Sequence, residues 1–337
     1  MIIIISILKN SADIIESWIR GNAVIADKFI VIDNNSSDGT VQILKLLKAE
    51  GFDIEILKPE SATDTQKKQM NYLMEYAAAA YNPDWILPFD DDEILASDSV
   101  GDIKKYLNEL DRGSEARPRQ FKVRWRVYTY TGSEPSCTQQ PSPPDRLEYC
   151  FINNQYELPT VLMSRELING GYKLTTGNHA LVGVQKGDLD TEFLSDLYLA
   201  HYPIRSKEQI ISKFMVGWIN YLSNPLCDHV RKDNCSYWKT MYEDFKRNRA
   251  VVDDKYLRQI IGYYRQKIRI EDVDKIVKRR INLPPSAFEV KYGGGEVDYL
   301  YNFMCNAEDI AKELAEKKRS LGEEEFDFDF FVKTQDF

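Results

Sequence analysis

The chain has 337 residues, of which 44 are Lys or Arg and 53 are Asp or Glu, so its formal net charge is −9. This length accommodates a full catalytic domain and a smaller second unit, whereas the acidic balance argues against broad nucleic-acid binding, which relies on Lys and Arg. The five cysteines form no CxxC pair, so the sequence predicts reduced thiols, without a disulfide framework or a structural zinc site, in a cytoplasmic protein.

The first hundred residues alternate predicted strands with predicted helices. The apolar run from Ile2 to Leu8 predicts a strand buried on both faces, and it is too short for a membrane span. Three more strands are predicted, at residues 29–32, 54–57 and 85–89. We expect Ser11 to cap the first of the helices between them. Four buried strands joined by helices predict a parallel sheet that is covered on both sides.

Between residues 120 and 201 the pattern changes. Strict alternation of apolar and polar residues over 120–130 predicts a half-exposed strand, at a sheet edge or in a second small sheet. The segment 131–144 is rich in Pro, Ser, Thr and Gln, which is typical of a long binding loop. Further short strands are predicted at residues 160–164, 172–174 and 197–201.

After Pro203 the apolar spacing becomes helical. Helices are predicted from residue 206 to 222 and at 237–249, 255–267, 271–280 and 297–318. We therefore divide the chain into an α/β domain over 1–204 and a mostly helical region over 205–337. Aromatic helix positions such as Phe214 and Trp218 require a partner surface, so we expect the second region to pack on the first.

The strongest chemical signal is the cluster Asp90-Asp91-Asp92-Glu93, directly after the predicted strand 85–89. Adjacent carboxylates repel one another, and a hard cation such as Mg²⁺ or Mn²⁺ offsets the repulsion. In an extended chain the Asp-x-Asp spacing points Asp90 and Asp92 to the same side. The alternative interpretation is the acidic first turn of a helix.

A second polar turn, residues 33–40, follows the second predicted strand. Asp33, at the strand end, can accept hydrogen bonds from a nucleobase or a ribose. The alternative is a helix cap formed by Ser37 or Asp38, and we expect both roles in the same turn. Because ligands bind beyond the carboxyl ends of parallel strands, this turn and the Asp90 cluster are predicted to share one edge of the sheet.

Three of these segments together resemble family 2 glycosyltransferases: Lys9-Asn10, the turn 33–40, and the segment from Asp84 through Glu93. They are most similar to the bacterial subgroup whose acidic motif reads Asp-x-Asp-Glu, and the segment 201–206, His-Tyr-Pro-Ile-Arg-Ser, resembles that subgroup's later His-Tyr motif. The resemblance covers residues 1 to about 215. It implies the A-type glycosyltransferase fold, a Rossmann-like, mostly parallel sheet, here with a C-terminal helical region.

The resemblance also implies an activity, namely transfer of a sugar from a nucleotide-diphosphate donor to an acceptor hydroxyl, with inversion, in bacterial glycan or glycoconjugate synthesis. The cofactor would be Mn²⁺ or Mg²⁺. The implied donor-binding residues are Lys9, Asn10, Asp33, Asn35, Asp90 and Asp91. The implied metal ligands are Asp90, Asp92, His201 and His179, and of the two histidines we favour His201.

The expected partners are the nucleotide-sugar donor and a glycan, lipid-linked or protein-linked acceptor, and no nucleic acid. Peripheral membrane association and the oligomeric state stay open. Many family members carry a Glu-Asp pair whose Asp is the general base, and residues 120–200 contain no such pair. Asp145 is the candidate base, with Glu157 and Glu166 as alternatives.

Two other functions remain at this stage. A sugar nucleotidyltransferase of the same fold would carry a Gly-rich, basic phosphate loop after the first strand, where this chain reads Lys9-Asn10-Ser11-Ala12. A non-catalytic scaffold would bind a partner through the helical region, and the presence of Asp33, Asp90 and Asp92 argues against it.

From the sequence we predict that Asp92→Ala abolishes metal-dependent transfer. Because the change removes one of several repelling charges, the sequence also predicts little loss of stability. Turnover and melting temperature of the variant and the parent test both statements, and parental turnover in the variant would remove Asp92 from the site.

Overall fold

The structure is a computed structural model that describes residues 1–59, 66–110, 119–136, 139–151, 159–183, 189–223, 236–247, 276–293 and 297–320. Over these ranges, no helix is long and apolar enough to cross a membrane. The predicted helix 255–267 lies outside the described residues. The described cysteines Cys150 and Cys305 are free thiols.

Twelve described strands form one ten-stranded sheet and one two-stranded sheet. The strands are β1 (Ile2–Leu8), β2 (Lys28–Asp33), β3 (Ile54–Leu57), β4 (Trp85–Pro88), β5 (Glu93–Ala96), β6 (Arg119–Thr129), β7 (Tyr149–Phe151), β8 (Thr160–Ser164), β9 (Lys173–Leu174), β10 (Leu181–Val182), β11 (Asp190–Ile204) and β12 (Ile276–Lys278). The helices are α1 (Ile15–Asn22), α2 (Thr40–Glu50), α3 (Gln66–Tyr81), α4 (Ile103–Leu110), α5 (Pro143–Arg146), α6 (Arg165–Asn169), α7 (Lys207–Ser223), α8 (Ser236–Arg247) and α9 (Tyr299–Ser320). Short 3-10 turns cover Thr176–Asn178 and Pro285–Phe288.

The N-terminal half is the predicted parallel sheet. Strands β3, β2, β1 and β4 lie side by side in this order, all parallel. The four isoleucines of β1 at positions 2–5 are fully buried, because helices cover both faces of a parallel sheet. The predicted α/β fold with a mostly parallel sheet is confirmed.

Strand β6 departs from its prediction as an edge strand. It pairs with β8 and β7 along one side and with β11 along the other, so it lies inside the sheet. Its polar face is partly covered: Arg124 is exposed, but the guanidinium of Arg126 stacks over the ring of Tyr198 at 3.4 Å, and Tyr128 is fully buried. Long cationic side chains can cover apolar surface with their stems, and this is why alternation alone predicted an exposed face.

Two local predictions were wrong. Ser11 does not cap α1 with its side chain, because the helix begins only at Ile15 and the Ser11 hydroxyl donates to Asp91 instead. The predicted helix 271–280 is contradicted over 276–278, which form β12 and pair antiparallel with β7. The helices predicted at 237–249 and 297–318 are confirmed as α8 and α9, within two residues at their ends.

The segment before α9 is attached to α1 through a buried carboxylate. Glu16, which is 1% exposed, accepts hydrogen bonds from the backbone N–H groups of Lys291 (2.8 Å), Tyr292 (2.7 Å) and Gly293 (2.6 Å). Arg20 pairs with the same carboxylate at 2.8 Å. The C-terminal residues thus pack on the N-terminal half, while a domain boundary at residue 204 stays a prediction.

We predict that Glu16→Ala lowers the free energy of unfolding by about 3 kcal/mol, because three part-buried N–H groups lose their acceptor and Arg20 retains its pair with Glu50 but loses its pair with Glu16. Denaturant unfolding measures the loss, and proteolysis should cut near residues 285–293 earlier than in the parent. The matched control is Glu109→Ala on α4, whose side chain is 61% exposed and whose loss should change stability by less than about 0.5 kcal/mol. Equal effects of the two substitutions would contradict this account.

Candidate functional site

Three polar segments meet at the carboxyl end of the parallel strands. In the β1–β2 pairing Leu8 lies opposite Asp33, and in the β1–β4 pairing Ile5 lies opposite Pro88. Residues 9–11 follow β1, the Asp33 turn follows β2, and the Asp90 cluster follows β4. Because β2, β1 and β4 are adjacent in this order, the three segments lie at one edge of the sheet. The predicted shared edge is confirmed.

The loops after β1 and β2 are joined by reciprocal hydrogen bonds. The backbone N–H of Asn10 donates to the Ser36 hydroxyl at 2.9 Å, and the N–H of Ser37 donates to the Asn10 side-chain oxygen at 2.8 Å. The Lys9 ammonium donates to the carbonyl of Asn34 at 3.0 Å. Asn10 and Asn35 have φ of 54° and 55°, a left-handed conformation that Asn tolerates better than other residues with a Cβ.

The Asp33 turn combines the two roles that its sequence allowed. Asp38 accepts hydrogen bonds from the N–H of Thr40 (2.9 Å) and of Ala12 (3.0 Å), and in this way it holds the start of α2 against the loop after β1. Ser37 does not bind the helix backbone with its hydroxyl in this way. Asp33 itself is half-buried and accepts only the long 3.3 Å hydrogen bond from the N–H of Ser36, so its carboxylate retains acceptor capacity toward a ligand.

The Asp90 cluster forms a tight turn between β4 and β5. The N–H of Glu93 donates to the Asp90 carbonyl at 3.1 Å, and the N–H of Asp90 donates back to the Glu93 carboxylate at 3.2 Å. The indole N–H of Trp18 also donates to the Asp90 carbonyl, at 2.9 Å. Gln66, at the start of α3, donates its amide to the Asp90 carboxylate at 3.1 Å. The backbone of the cluster is therefore fixed before any ligand binds.

Two of the carboxyl groups carry a raised pKa. Burial raises the pKa of Asp90 to about 7, and the neighbouring charges of Asp92 and Asp91 act in the same direction. The pKa of Asp91 is raised to about 6 by burial and by Asp92, although the Ser11 hydroxyl bonds to its carboxylate. Both side chains are half-buried, so they remain accessible. Placing negative charge on them is unfavourable, and a cation would relieve this.

The pKa of Asp92, in contrast, is lowered. Its carboxylate lies 3.1 Å from the Lys213 ammonium, 3.3 Å from Nε2 of His201 and 3.7 Å from the Arg205 guanidinium. Burial disfavours its ionisation, but these three neighbours outweigh burial and hold the pKa well below its usual range. Arg205 is in turn held by Asp13 through two hydrogen bonds of 2.6 and 2.9 Å. Arg205 and Lys213 are thus both directed toward Asp92.

This arrangement changes the stability expected of Asp92→Ala. The substitution would remove the carboxylate that His201, Arg205 and Lys213 all contact, although Arg205 would keep Asp13. Because breaking buried ion pairs is unfavourable, the structure predicts a loss of stability in place of the small loss that the sequence suggested. Repulsion among the acidic residues is the smaller effect at this position.

The rings of His179 and His201 both lie beside the ring of Trp125, but the two histidines have different neighbours. The antiparallel pairing of β11 with β5 sets His201 opposite Glu93, which brings its ring to Asp92. The Trp125 ring lies 4.4 Å from the His201 ring and 5.5 Å from the His179 ring. His179 contacts the carbonyl of Pro159 at 3.1 Å, and burial lowers its pKa.

The predicted ligand set is not assembled as a whole. Over the described ranges, no three His, Cys, Asp or Glu side chains converge as a metal site of their own. Asp92 and His201 are brought together, and Asp90 lies in the same turn, whereas His179 is engaged with Trp125 and Pro159. A cation at this edge would need ligands in addition to these described side chains.

The described candidate general bases, Asp145 and Glu166, differ in where they lie relative to the Asp90 cluster. Asp145 lies at the end of α5 in an ion pair with Arg280, and Gln140 donates to its other oxygen. Glu166 follows β8, whose Ser164 lies opposite Trp85 at the start of β4, so it lies at the far end of the sheet from Asp90 and is not a candidate. Glu157 lies outside the described residues.

Sequence reasoning missed several residues that shape this edge. They are Asp13, Trp18, Gln66 and Trp125, together with Ser11 in its contact with Asp91. Each makes its contact across 24 to 192 positions of the chain. A local pattern carries no signal for such contacts.

Comparison with known proteins gives a family for part of the chain. Residues 4–155 match the sequence model of the family described as Glycosyl transferase family 2. The predicted enzyme class, a glycosyltransferase, is confirmed by this match. No curated protein sequence matches the chain.

Several solved structures are similar in outline. TarS of S. aureus is 14% identical with a TM-score of 0.38, covering 81% of this chain and 88% of its own. The mannosyltransferase PcManGT of Pyrobaculum calidifontis, solved with GDP-Man and Mn²⁺, is 10% identical with a TM-score of 0.34, covering 81% and 72%. The glucosyl-3-phosphoglycerate synthase of Mycobacterium tuberculosis, solved with Mn²⁺, UDP and glucosyl-3-phosphoglycerate, is 16% identical with a TM-score of 0.30, covering 60% and 71%. At these values none of the three defines the substrate of this chain.

We predict that the backbone conformation at Asn35 is strained for residues with a Cβ. Asn35→Gly should leave the free energy of unfolding within about 0.5 kcal/mol of the parent, whereas Asn35→Ala should lower it by about 1 kcal/mol. Side-chain contacts contribute little to this difference because Asn35 is exposed. Denaturant unfolding of both variants is the measurement, and indistinguishable values would show that position 35 does not require a positive φ.

Proposed function

We propose that this glycosyltransferase takes a nucleotide-diphosphate sugar as donor and transfers the sugar to an acceptor hydroxyl with inversion. The observation that carries the proposal is the shared edge, where Asp33 and the Asp90 cluster stand at the ends of β2 and β4. These strands are two spacings apart, or about 10 Å. A donor lying along this edge would place its nucleoside at Asp33 and its diphosphate at the cluster.

The residues at the edge fit a hard divalent cation, Mn²⁺ or Mg²⁺. Asp90 and Asp91 offer half-buried carboxylate oxygens, the donor atoms that these ions prefer, and burial together with the neighbouring carboxylates raises the pKa of both. Such ions bind one or two carboxylates and complete their coordination with phosphate oxygens and water. A three-residue protein site is therefore not required. Of the predicted ligands, we keep Asp90, Asp92 and His201 and regard His179 as part of the wall around Trp125.

When bound, the cation would supply Lewis-acid stabilisation for the departing diphosphate. The protein's own contribution is orientation. Asp33 presents an acceptor toward the nucleoside, and the interlocked loops with Lys9 and Asn10 fix the edge on which the donor lies. Lys213, only 27% exposed at its side chain, is a cation that Asp92 holds beside the position proposed for the diphosphate.

Fewer contacts in the structure indicate where the acceptor would bind. Asp145 remains our candidate for the base that deprotonates the acceptor hydroxyl, and it lines a cavity of about 450 Å³ with Arg280, Ile281, Leu283 and other residues of the 280–289 segment. Its carboxylate is engaged by Arg280, so the pair would have to open for an acceptor hydroxyl to approach. We also propose that the chain belongs to the bacterial Asp-x-Asp-Glu subgroup and acts in the cytoplasm.

We predict that Asp90→Asn lowers metal-dependent transfer by at least about 100-fold, because it removes a proposed cation ligand. Unlike Asp92→Ala, it should keep or raise the melting temperature of the metal-free protein. Over the described ranges no cationic side chain lies at hydrogen-bond distance from the Asp90 carboxyl, and burial disfavours its charge. Donor hydrolysis across common nucleotide sugars, with and without MnCl₂, measures the activity.

Thermal melting supplies the binding test. UDP or GDP should raise the melting temperature of the parent only with Mn²⁺, because a ligand stabilises the state that it binds, and the shift should vanish in Asp90→Asn. The matched control is Asp102→Asn, an exposed change near the start of α4, which should retain both activity and shift. A full metal-dependent shift in Asp90→Asn would exclude this carboxylate from the site.

A further inference from the structure

Helix α9 lies against the proposed nucleoside end of the site. The Ser37 hydroxyl, in the Asp33 turn, donates to the Asn302 side-chain oxygen at 3.0 Å. One turn earlier, the Tyr299 hydroxyl donates to Asp13 at 3.3 Å. The helix also packs on α7, where the Ser212 hydroxyl contacts the Tyr299 carbonyl at 3.5 Å. A helix some 260 residues away in sequence thus contacts the turn that carries Asp33.

The burial of α9 is unusual for a helix on a protein surface. It buries the amides Asn302 (1% exposed) and Asn306 (3%), while Leu300 (68%) and Met304 (60%) are exposed. Helices normally turn their apolar side to the protein, because burying amides is unfavourable unless they are hydrogen-bonded. The buried face of α9 thus combines Asn302 and Asn306 with the apolar Ile310 (8% exposed), and at Asn302 this face meets the Asp33 turn.

Two buried amide atoms, one on α9 and one in the Asp33 turn, lack a partner among the described residues. They are Nδ2 of Asn302, a donor, and Oδ1 of Asn34, an acceptor next to Asp33. Buried polar atoms are almost always hydrogen-bonded, so each such atom calls for a ligand or a water. A nucleoside offers both kinds of partner, because base and ribose carry donors and acceptors.

A carboxylate on the same helix completes the arrangement. Asp309 is half-buried, seven residues after Asn302 and therefore on the same face. Burial lowers the pKa of Lys9, and the charges of Asp309 and Asp33 both oppose that shift. Lys9 thus has Asp33 on the sheet side and Asp309 on the helix side.

We propose that α9 forms the second wall of the donor site, with Asn302 and Asp309 recognising the nucleoside half of the donor opposite Asp33. The inference rests on the proposed function and adds residues that lie outside the family match at 4–155. Asn302 docks the helix on the Asp33 turn and directs its amide N–H₂ to the ligand. Asp309 accepts from a base or ribose donor.

The test uses the full chain and two substitutions of opposite charge effect. Asn302→Asp keeps the acceptor for Ser37 and removes the N–H₂ donor, and Asp309→Ala removes a carboxylate. Titration calorimetry with MnCl₂ gives the Kd of UDP, GDP, CDP and TDP, and of pyrophosphate, which contains no nucleoside. We expect each variant to weaken the best nucleoside diphosphate about tenfold relative to pyrophosphate, as one lost hydrogen bond would.

Charge alone predicts a different pattern. If the helix acted only through its field on the phosphates, Asn302→Asp would weaken and Asp309→Ala would strengthen the binding of nucleotide and pyrophosphate alike. The matched control is Glu308→Ala, an exposed neighbour paired with Lys312 at 2.6 Å, which should leave the ratio of the two Kd values unchanged. Melting temperatures show whether either variant has lost its fold, and Asp309→Ala, at a half-buried position, keeps the test decisive if Asn302→Asp unfolds.

The outcomes separate this inference from the proposed function. If the parent binds no nucleoside diphosphate, the proposed function and the inference about α9 are both excluded. If the parent binds one and Asp33→Ala weakens it, while both α9 variants keep the parental ratio of Kd values, the proposed function stands and α9 is only a structural cover whose unpartnered amides hold water.

Discussion

The balance of charge around Asp92 is the constraint on which the rest of the site depends. A buried strand delivers four consecutive acidic residues to one turn, and such a group folds only if part of its charge is compensated. His201, Arg205 and Lys213 compensate Asp92, while Asp90 and Asp91 are left with raised pKa values. The cluster thereby combines Asp92, whose charge the fold compensates, with two carboxylates whose pKa values are raised, and a cation bound at this turn would favour the ionised form of all three.

This division explains why the site needs more of the chain than its first half. The cations that surround Asp92 come from the end of β11 and from α7, after residue 200. They can reach β4 only because β11 runs antiparallel to β5 and carries His201 to a position opposite Glu93. Asp13 then fixes Arg205 from the loop before α1, and Tyr299 of α9 joins the same carboxylate. A fragment ending near residue 155 would hold the acidic cluster without its compensation.

Different interactions hold the two ends of the edge at which the donor is proposed to bind. At the β4 end, charge dominates, and the geometry is fixed by ion pairs and by the backbone contacts of Trp18 and Glu93. At the β2 end, neutral amides and hydroxyls dominate, with Asn10 and Asn35 in left-handed conformations. Hydrogen-bonding loops of this kind suit a nucleoside, which is neutral, whereas the charged end suits a diphosphate with its cation.

The sequence by itself determined the parallel half of the sheet and the position of its two polar turns. Apolar runs such as Ile2–Leu8 are local, and parallel strands necessarily end at one edge, so Asp33 and Asp90 were predicted to share it. What only the tertiary structure decided depends on contacts between distant residues. Nothing local to β6 indicates that β8 and β11 cover both of its sides, nor does the Glu166 segment indicate which end of the sheet it reaches. The neutralisation of Asp92 by Arg205, more than a hundred positions away, likewise reversed the stability expected of that carboxylate, because charge interactions follow distance in space and leave no period in the sequence.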